Sequence, residues 1–210
     1  NDQVGDHEVE LLVTDLDGAT GIQSFTITVE NTNDAPVFSS EAVTAATEDV
    51  VYNYSVTATD VDAGDALVIT ASTIPGWLQL EDNGDGTGSL EGTPLNENVG
   101  NHSIVLKVTD ESGAFAIQSF VIIAENTNDA PVITSEAVTA ATEDAIYSYT
   151  VITEDVDLED ALVLTAIVLP SWLEFSDDGA GIGTLTGTPG NDHVGDHPVE
   201  LLVTDIAGAT

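Results

Sequence analysis

The sequence repeats itself with a period of 95 residues, the distance from Glu30 to Glu125. The octapeptide Glu30–Val37 returns without change as Glu125–Val132, and Trp77 and Trp172 keep the same spacing. No insertion or deletion separates the copies. A period of this length is that of a small domain rather than of a short solenoid repeat, so we expect a tandem of similar modules.

The repeat also predicts where the modules begin and end. Residues 1–20 match residues 191–210 at all but four positions, so the sequence starts and stops inside a repeat, as a window cut from a longer array would. We expect residues 1–31 to be the C-terminal strands of a preceding module and residues 32–126 to be a complete module. Residues 127–210 are expected to form a second module that lacks its last strand.

Alternation of apolar and polar residues predicts β-strands throughout. From Tyr52 to Thr59 every second residue is apolar, and the same period of two holds in residues 102–109, 120–124 and 25–29. Short strands rich in Thr, Val and Ile are separated by Gly, Asp and Asn, and no stretch has a helical period. The sequence therefore predicts an all-β chain of tandem antiparallel Greek-key β-sandwiches in an extended array.

The charge of the chain restricts its partners. Thirty-eight acidic residues face one basic residue, Lys107, which gives a formal net charge of −37. This charge excludes nucleic acids and anionic membranes as electrostatic partners, and a compact fold requires cations to reduce the self-repulsion. No cysteine is present to form disulfides, and no apolar run is long enough for direct insertion into a membrane.

Acidic and amide side chains recur at matching places in each repeat. Asp60 and Asp62 follow a predicted strand and point to the same side, Asp110 ends another strand, Glu48 lies in a turn, and residues 31–34 form a linker. Their copies one period later are Asp155, Asp157, Asp205, Glu143 and residues 126–129. Each cluster alone is typical of a solvated turn. Their joint repetition in an acidic chain predicts Ca²⁺ sites, because Ca²⁺ accepts six to eight oxygen ligands in irregular geometry.

The repeat resembles the cadherin-like modules of large bacterial surface adhesins, especially the dystroglycan-type cadherin and putative-Ig group. The resemblance spans the whole repeat and is carried by these motifs: Asn33-Asp34-Ala35-Pro36, Asp60-Val61-Asp62-Ala63-Gly64-Asp65-Ala66-Leu67, Ile74-Pro75-Gly76-Trp77-Leu78, Leu90-Glu91-Gly92-Thr93-Pro94, Val99-Gly100-Asn101-His102 and Val108-Thr109-Asp110-Glu111-Ser112-Gly113. It implies immunoglobulin- or cadherin-like sandwiches with calcium at the joints between modules.

The resemblance also implies a set of calcium ligands. The first joint would use Glu30, Asn31, Asn33, Asp34, Asp60, Asp62 and Asp110. The second joint would use Glu125, Asn126, Asn128, Asp129, Asp155, Asp157 and Asp205, with Glu48 from the preceding module. The linker is about one residue shorter than the cadherin linker, and the cadherin Leu-Asp-Arg-Glu element is absent, so we expect fewer ions per joint than in cadherins.

These features favour a calcium-rigidified extender of a bacterial cell-surface adhesin or filament, located outside the cell or secreted. The chain is not expected to be an enzyme, because no catalytic constellation occurs at a suitable spacing. The expected partners are calcium ions and neighbouring repeats. Trp77 and Trp172 leave open a carbohydrate-binding module of a polysaccharide-binding or polysaccharide-degrading surface protein, although a Pro-x-Trp-Leu setting favours core packing. Another open possibility is pairing of residues 21–30 with the second module of another copy.

Overall fold

The computed structural model describes residues 2–62, 64–157 and 161–210 and is built from β-strands. The only helical elements within these ranges are the short 3₁₀ turns Asn96–Asn98 and Asn191–His193. None of the described helices has the length and apolar character needed to cross a membrane. The chain divides into unit 1, Asn1–Asn126, and unit 2, Thr127–Thr210.

Unit 1 contains an N-terminal hairpin followed by a β-sandwich. Its strands are β1 (Gly5–Thr14), β2 (Thr20–Val29), β3 (Val37–Phe38), β4 (Ala45–Thr47), β5 (Tyr52–Thr59), β6 (Val68–Thr73), β7 (Leu78–Asp82), β8 (Thr87–Gly92), β9 (Gly100–Thr109) and β10 (Phe115–Glu125). Strands β1 and β2 pair with each other. The sandwich has one sheet with the order β3-β5-β8-β7 and another with the order β4-β10-β9-β6. All the pairings are antiparallel except the parallel one between β4 and β10.

The core of unit 1 lies between these sheets, as the alternation predicts. Along β5 the side chains at every second position from Tyr52 to Ala58 are buried. Val56, Leu90, Leu106, Val108 and Ile122 are completely shielded from solvent. The predicted strands in residues 102–109 and 120–124 are confirmed as parts of β9 and β10.

Unit 2 repeats the first sheet but has a smaller second sheet. Its strands are β11 (Val132–Ile133), β12 (Tyr147–Glu154), β13 (Val163–Val168), β14 (Leu173–Gly179), β15 (Ile182–Gly187) and β16 (Glu200–Thr204). Strands β11-β12-β15-β14 form one sheet, whereas β13 and β16 form a two-stranded sheet. Tyr149, Val151, Leu164, Leu185 and Val203 are buried between them.

The N-terminal hairpin departs from the sequence expectation in its burial. Alternation at Phe25, Ile27 and Val29 predicts a half-buried strand, and β2 does form there. All ten residues of β2 are nevertheless exposed, including Phe25 at 43% and Ile27 at 49%. The reason is that β2 pairs only with β1, and no second sheet covers its apolar face within the described residues.

Candidate metal centre

The pairing of β3 with β5 brings the first linker to the acidic residues that follow β5. Val37 lies opposite Thr59 in this antiparallel pair. The residues that precede Val37 therefore run alongside those that follow Thr59. This register explains why residues 31–34 meet Asp60 and Asp62, although about thirty residues separate them in the sequence.

Asp62 is the point at which the linker is attached to the sandwich. Its Oδ1 accepts a hydrogen bond from Asn31 Nδ2 at 2.9 Å, and its Oδ2 accepts one from the Asp34 backbone N–H at 2.7 Å. The Asp62 N–H in turn donates to Asp60 Oδ1 at 2.9 Å. The Asp62 side chain is buried, at 6% exposure. The linker is thus bonded to a buried carboxylate by both side-chain and backbone donors.

Asp110 provides a second attachment, at the end of β9. Its Oδ2 accepts from Asn33 Nδ2 at 3.0 Å, and its Oδ1 accepts from the Ala114 N–H at 2.8 Å. The Asn33 hydrogen bond is the largest of the effects that lower the pKa of Asp110. Asp110 therefore stays ionised while it is buried, because several donors point at its oxygens.

Asp60, Asp62 and Asp65 form an acidic cluster whose carboxylate oxygens lie within 4.8 Å of one another. One oxygen of Asp60 and one of Asp65, both Oδ2, are buried and have no hydrogen-bond partner among the described residues. Burial and the nearby Asp60, Asp110, Asp62 and Glu111 carboxylates raise the pKa of Asp65. The arrangement is one that repulsion opposes unless a cation is present, and the cluster could hold a metal ion.

Asp65 was not among the predicted ligands. The signal for it is the third acid in the segment Asp60-x-Asp62-x-x-Asp65. The corresponding residue in unit 2 is Asp160, which lies outside the described residues.

Lys107, the only lysine or arginine of the sequence, does not neutralise this cluster. Lys107 lies on β9 with its Nζ 4.3 Å from the centre of the Phe115 ring, a cation–π contact. With no arginine and no other lysine in the sequence, the Asp cluster has no fixed positive side chain to balance it. Its donor set consists of oxygens, which suits a hard divalent cation.

Unit 2 repeats the linker contacts. Asn128 Nδ2 donates to Asp205 Oδ2 at 2.8 Å, and the Asp129 N–H donates to Asp157 Oδ2 at 2.7 Å. Asp157 N–H donates to Asp155 Oδ1 at 2.9 Å, and Asp155 Oδ2 is buried without a hydrogen-bond partner among the described residues. The Asn128 hydrogen bond is the main cause of a lowered pKa at Asp205. Three contacts of unit 1, namely Asn33–Asp110, Asp34–Asp62 and Asp62–Asp60, therefore recur in unit 2.

The other predicted ligands include Glu30, Glu48, Glu125 and Asn126. Glu30, Glu125 and Asn126 are exposed. Glu48 is buried at 1% exposure, and its N–H donates to the Glu125 carbonyl at 2.9 Å. Of the second predicted joint, Glu48, Glu125 and Asn126 belong to unit 1 and the other ligands to unit 2.

The two tryptophans pack against the cores, as their setting predicts. The Trp77 ring makes edge contacts with Tyr52 at 6.0 Å and His102 at 5.4 Å between ring centres. Trp172 makes the same contacts in unit 2 with Tyr147 and His197. Both rings are partly buried against the hydrophobic cores.

Comparison with protein families gives one match for each repeat. Residues 33–123 match the family described as "Bacterial Ig domain", and residues 130–210 match the family described as "Putative Ig domain". A search of curated proteins found no match.

Solved structures similar to this chain include an endo-fucoidan hydrolase from glycoside hydrolase family 107. It is 27% identical with a TM-score of 0.43, and the match covers 99% of this chain and 33% of the hydrolase. The chain thus spans about a third of the length of that protein, and a superposition this loose carries no functional argument.

Protocadherin structures superpose on this chain with higher TM-scores than the hydrolase does. The EC1-4 fragment of PcdhgB3 has a TM-score of 0.61 at 16% identity, over 95% of this chain and 60% of that one. Extracellular cadherin domains 1-5 of protocadherin gamma B2 have a TM-score of 0.58 at 18% identity, and the match covers 96% of this chain and 42% of the protocadherin chain. At this identity the likeness shows the fold. Residues 33–123 and residues 130–210 are thus each similar to an immunoglobulin-like domain family, and the chain has the all-β fold of tandem immunoglobulin- or cadherin-like sandwiches.

Proposed function

We propose that this chain is an extender segment of a bacterial surface adhesin or filament, in which Ca²⁺ ties each linker to the sandwich that follows it. The observation that carries the proposal is the Asp60–Asp62–Asp65 cluster, where three carboxylates converge and two buried oxygens have no hydrogen-bond partner among the described residues. The match of the first repeat to a bacterial Ig domain and of the second to a putative Ig domain supports a location outside the cell. Such families are typically non-catalytic, so the proposed role is structural.

The chemistry of the cluster favours calcium over other common cations. Zinc prefers nitrogen and sulfur ligands, and the cluster offers carboxylate oxygens. Magnesium requires near-ideal octahedral geometry and retains its water molecules, whereas Ca²⁺ tolerates irregular cages of carboxylates, amides and carbonyls. Asp60, Asp62 and Asp65 would hold the ion, with oxygens of residues 31–34 nearby.

The other residues of the site orient it. Asn31 and the Asp34 N–H hold the Asp62 carboxylate, and Asn33 holds that of Asp110. A bound cation supplies positive charge that removes the repulsion within the cluster. The linker then loses freedom relative to the sandwich, and repetition along an array would make the array stiff.

The proposal is tested by calcium titration calorimetry of the full chain and of Asp65→Asn. The variant keeps the size of the side chain but removes one charge and the unpartnered carboxylate. We expect calcium affinity at the unit 1 site to fall at least about tenfold, equivalent to about 1.4 kcal/mol. The metal-free variant should melt at a higher temperature than the wild type, because part of the repulsion is gone.

The matched control is Glu97→Gln, which removes one charge from an exposed side chain in a 3₁₀ turn. This change should leave both calcium affinity and metal-free stability almost unaltered. The proposal is wrong if the wild type binds no calcium, or if Glu97→Gln weakens binding as much as Asp65→Asn. In either case the cluster is not a calcium site.

A further inference from the structure

The β4-β10-β9-β6 sheet of unit 1 has an apolar outer face. Even-numbered side chains of β10 point into the core and odd-numbered ones point outwards. Four of the outward side chains are large and apolar, and each is at least 43% exposed: Phe115, Ile117, Val121 and Ile123. The solvated face of an antiparallel sheet is normally polar, and a contiguous apolar patch marks an interaction site. Because β10 is paired with β9 on one side and β4 on the other, this face belongs to a fully paired strand.

The outer face has almost no charge, although the protein has 38 acidic residues. Among the described residues, the charged side chains that point outwards from this sheet are Lys107 on β9 and Glu125 at the end of β10. The outer face of the other sheet, by contrast, carries the exposed acids Glu81 and Glu91. The β4-β10-β9-β6 face is therefore a surface of unit 1 on which another acidic molecule meets little repulsion.

The preceding copy of the repeat has different residues at these outward positions. The positions of Asn101, Ser103 and Val105 are acidic there, and those of Phe115, Val121 and Ile123 are threonine: Asp6, Glu8, Glu10, Thr20, Thr26 and Thr28. The inward positions change little, since His7, Leu11 and Phe25 return as His102, Leu106 and Phe120. Packing of the core therefore does not account for the loss of charge and the gain of apolar side chains on the outer face.

The two charges of the face lie at different levels along the strands. Lys107 is paired with Ile117 of β10, and its Nζ lies over the Phe115 ring. Glu125 ends β10, about 27 Å from Ile117 along the strand, and Val121 lies midway between them. A second, identical face laid antiparallel on the first at the level of Val121 thus brings each Lys107 to the level of Glu125 of the other copy.

The face is large enough for a specific contact. Its four strands have three, eleven, ten and six residues. At about 3.4 Å per residue and about 4.8 Å between strands, they cover about 500 Å² in projection. Two such faces therefore bury about 1,000 Å² in all, which is what a specific but weak interface needs.

We propose that unit 1 binds a second copy of this chain through this face, as a two-fold dimer with antiparallel strands. Val121 lies at the two-fold axis, which crosses the strands between the two sheets, and Lys107 of each copy lies near Glu125 of the other. Face-to-face packing of the two sheets removes the apolar side chains of β10 from water. A two-fold contact uses the same patch on both copies, so a patch that carries both charges can pair with itself.

Electrostatics favours this orientation. A parallel arrangement places Glu125 beside Glu125 and Lys107 beside Lys107, whereas the antiparallel one pairs opposite charges. The formal charge of −37 on each copy opposes association through faces that carry more acids. The contact includes no residue of the Asp60–Asp62–Asp65 cluster, so the dimer is independent of the proposed calcium site.

Light scattering of the full chain over a range of concentrations tests the dimer. We expect the wild-type mass to rise from 21.7 kDa towards twice that value. Val121→Asp places two carboxylates against each other at the axis and should weaken dimerisation at least about tenfold. The matched control Ser55→Asp adds the same charge to the outer face of the other sheet and should dimerise like the wild type.

A milder variant separates loss of the contact from loss of the fold. Val121→Thr combined with Ile123→Thr installs the threonines that the preceding repeat has at these positions. It should keep the circular dichroism and the melting behaviour of a folded sandwich, and it should dimerise more weakly than the wild type because the contact loses apolar area.

Charge exchange tests the orientation. Lys107→Glu and Glu125→Lys each place like charges together and should each weaken the dimer at least about tenfold, whereas the double variant restores opposite charges and should dimerise like the wild type. General repulsion predicts the reverse for Glu125→Lys, because this change lowers the net negative charge. A wild type that stays monomeric or grows beyond the dimer would overturn the proposal. Equal weakening by the Val121 and Ser55 variants, or a double variant as weak as the single ones, would also overturn it.

Discussion

At the residue scale, amide side chains decide how the carboxylates of the centre are arranged. Asn31 and Asn33 donate to Asp62 and Asp110, and Asn128 donates to Asp205 in the second repeat. An aspartate in these linker positions would add charge and lose the donor. The linker thus uses asparagines to fix the acids of the sandwich, and leaves oxygens of Asp60 and Asp65 without such donors.

Tyr52 allows a prediction at high pH. Burial, with a smaller contribution from Tyr54, raises the pKa of Tyr52 from 10.0 to about 12. Its hydroxyl donates to the Val43 carbonyl at 2.7 Å. Because the folded state favours the neutral phenol, the stability that Tyr52 contributes is fully present below pH 10.0 and is lost as the pH rises towards about 12. Denaturant melts should show the stability of unit 1 decreasing over this interval.

The variant Tyr52→Phe separates this effect from other alkaline transitions. It removes the ionisable group and the hydrogen bond, so it should be less stable than the wild type at neutral pH by about 1 kcal/mol. Its stability should then depend less steeply on pH between 10.0 and about 12. A wild-type slope retained in full by the variant would show that Tyr52 ionises normally in the folded protein.

The residues of the metal centre show which parts of a site can be predicted from the strand periodicity of the sequence. Asp60 and Asp62 were predicted together because alternate residues at a strand end point the same way. Asp65 was missed because its approach depends on the path of the loop after Asp62, which no periodicity describes. The donor directions of Asn31 and Asn33 depend on the β3–β5 register, and that register is a long-range property of the sandwich.

At the scale of the element, alternation predicted the strands correctly but could not predict their neighbours. β5, β9 and β10 form where the period of two occurs, with their apolar sides in the core. β2 has the same pattern and forms a strand, yet its apolar side is exposed. Burial depends on which strands cover a face, and that information lies in distant parts of the chain.

The end of β8 is a place where backbone packing requires glycine. A Cβ at Gly92 would overlap the Trp77 carbonyl oxygen, while a Cβ at Gly76 meets nothing within 4 Å. Gly92→Ala must shift the β7–β8 pair and should destabilise unit 1 by about 1–3 kcal/mol. Gly76→Ala should change stability by less than about 0.5 kcal/mol. Thermal melts of the two variants test this difference in stability, and equal melting temperatures would contradict the prediction.

At the scale of the whole molecule, electrostatic self-repulsion opposes folding in addition to the loss of chain entropy. A formal charge of −37 on 210 residues destabilises any compact state by self-repulsion. Divalent cations bound at the linkers would lower this charge where it is most concentrated. Binding to the folded state alone also adds about 2.7 kcal/mol of stability when calcium is in hundredfold excess over Kd.

Removal of calcium should therefore change both stability and dimensions. We expect a chelator to lower the melting temperature and to reduce the largest intramolecular distance in small-angle scattering, as the linkers gain freedom. Sodium at the same ionic strength should restore little of either change, because screening alone does not bridge the carboxylates. If sodium alone restored both the melting temperature and the largest distance, charge screening rather than bound calcium would account for them.

The position of Lys107 has a consequence for proteolysis. A protease that cuts after lysine or arginine finds one target in the whole sequence, and that target lies within β9. Lys107 is paired with Ile117 of β10 on one side and with Thr70 of β6 on the other, so its peptide bond cannot enter an active-site cleft while the sheet is intact. Folded protein should resist such an enzyme for long periods, and each opening of unit 1 should give one cut and two fragments. When cleavage is faster than reclosing, the digestion rate therefore gives the rate at which this sheet opens; when reclosing is faster, it gives the fraction of molecules in which the sheet is open.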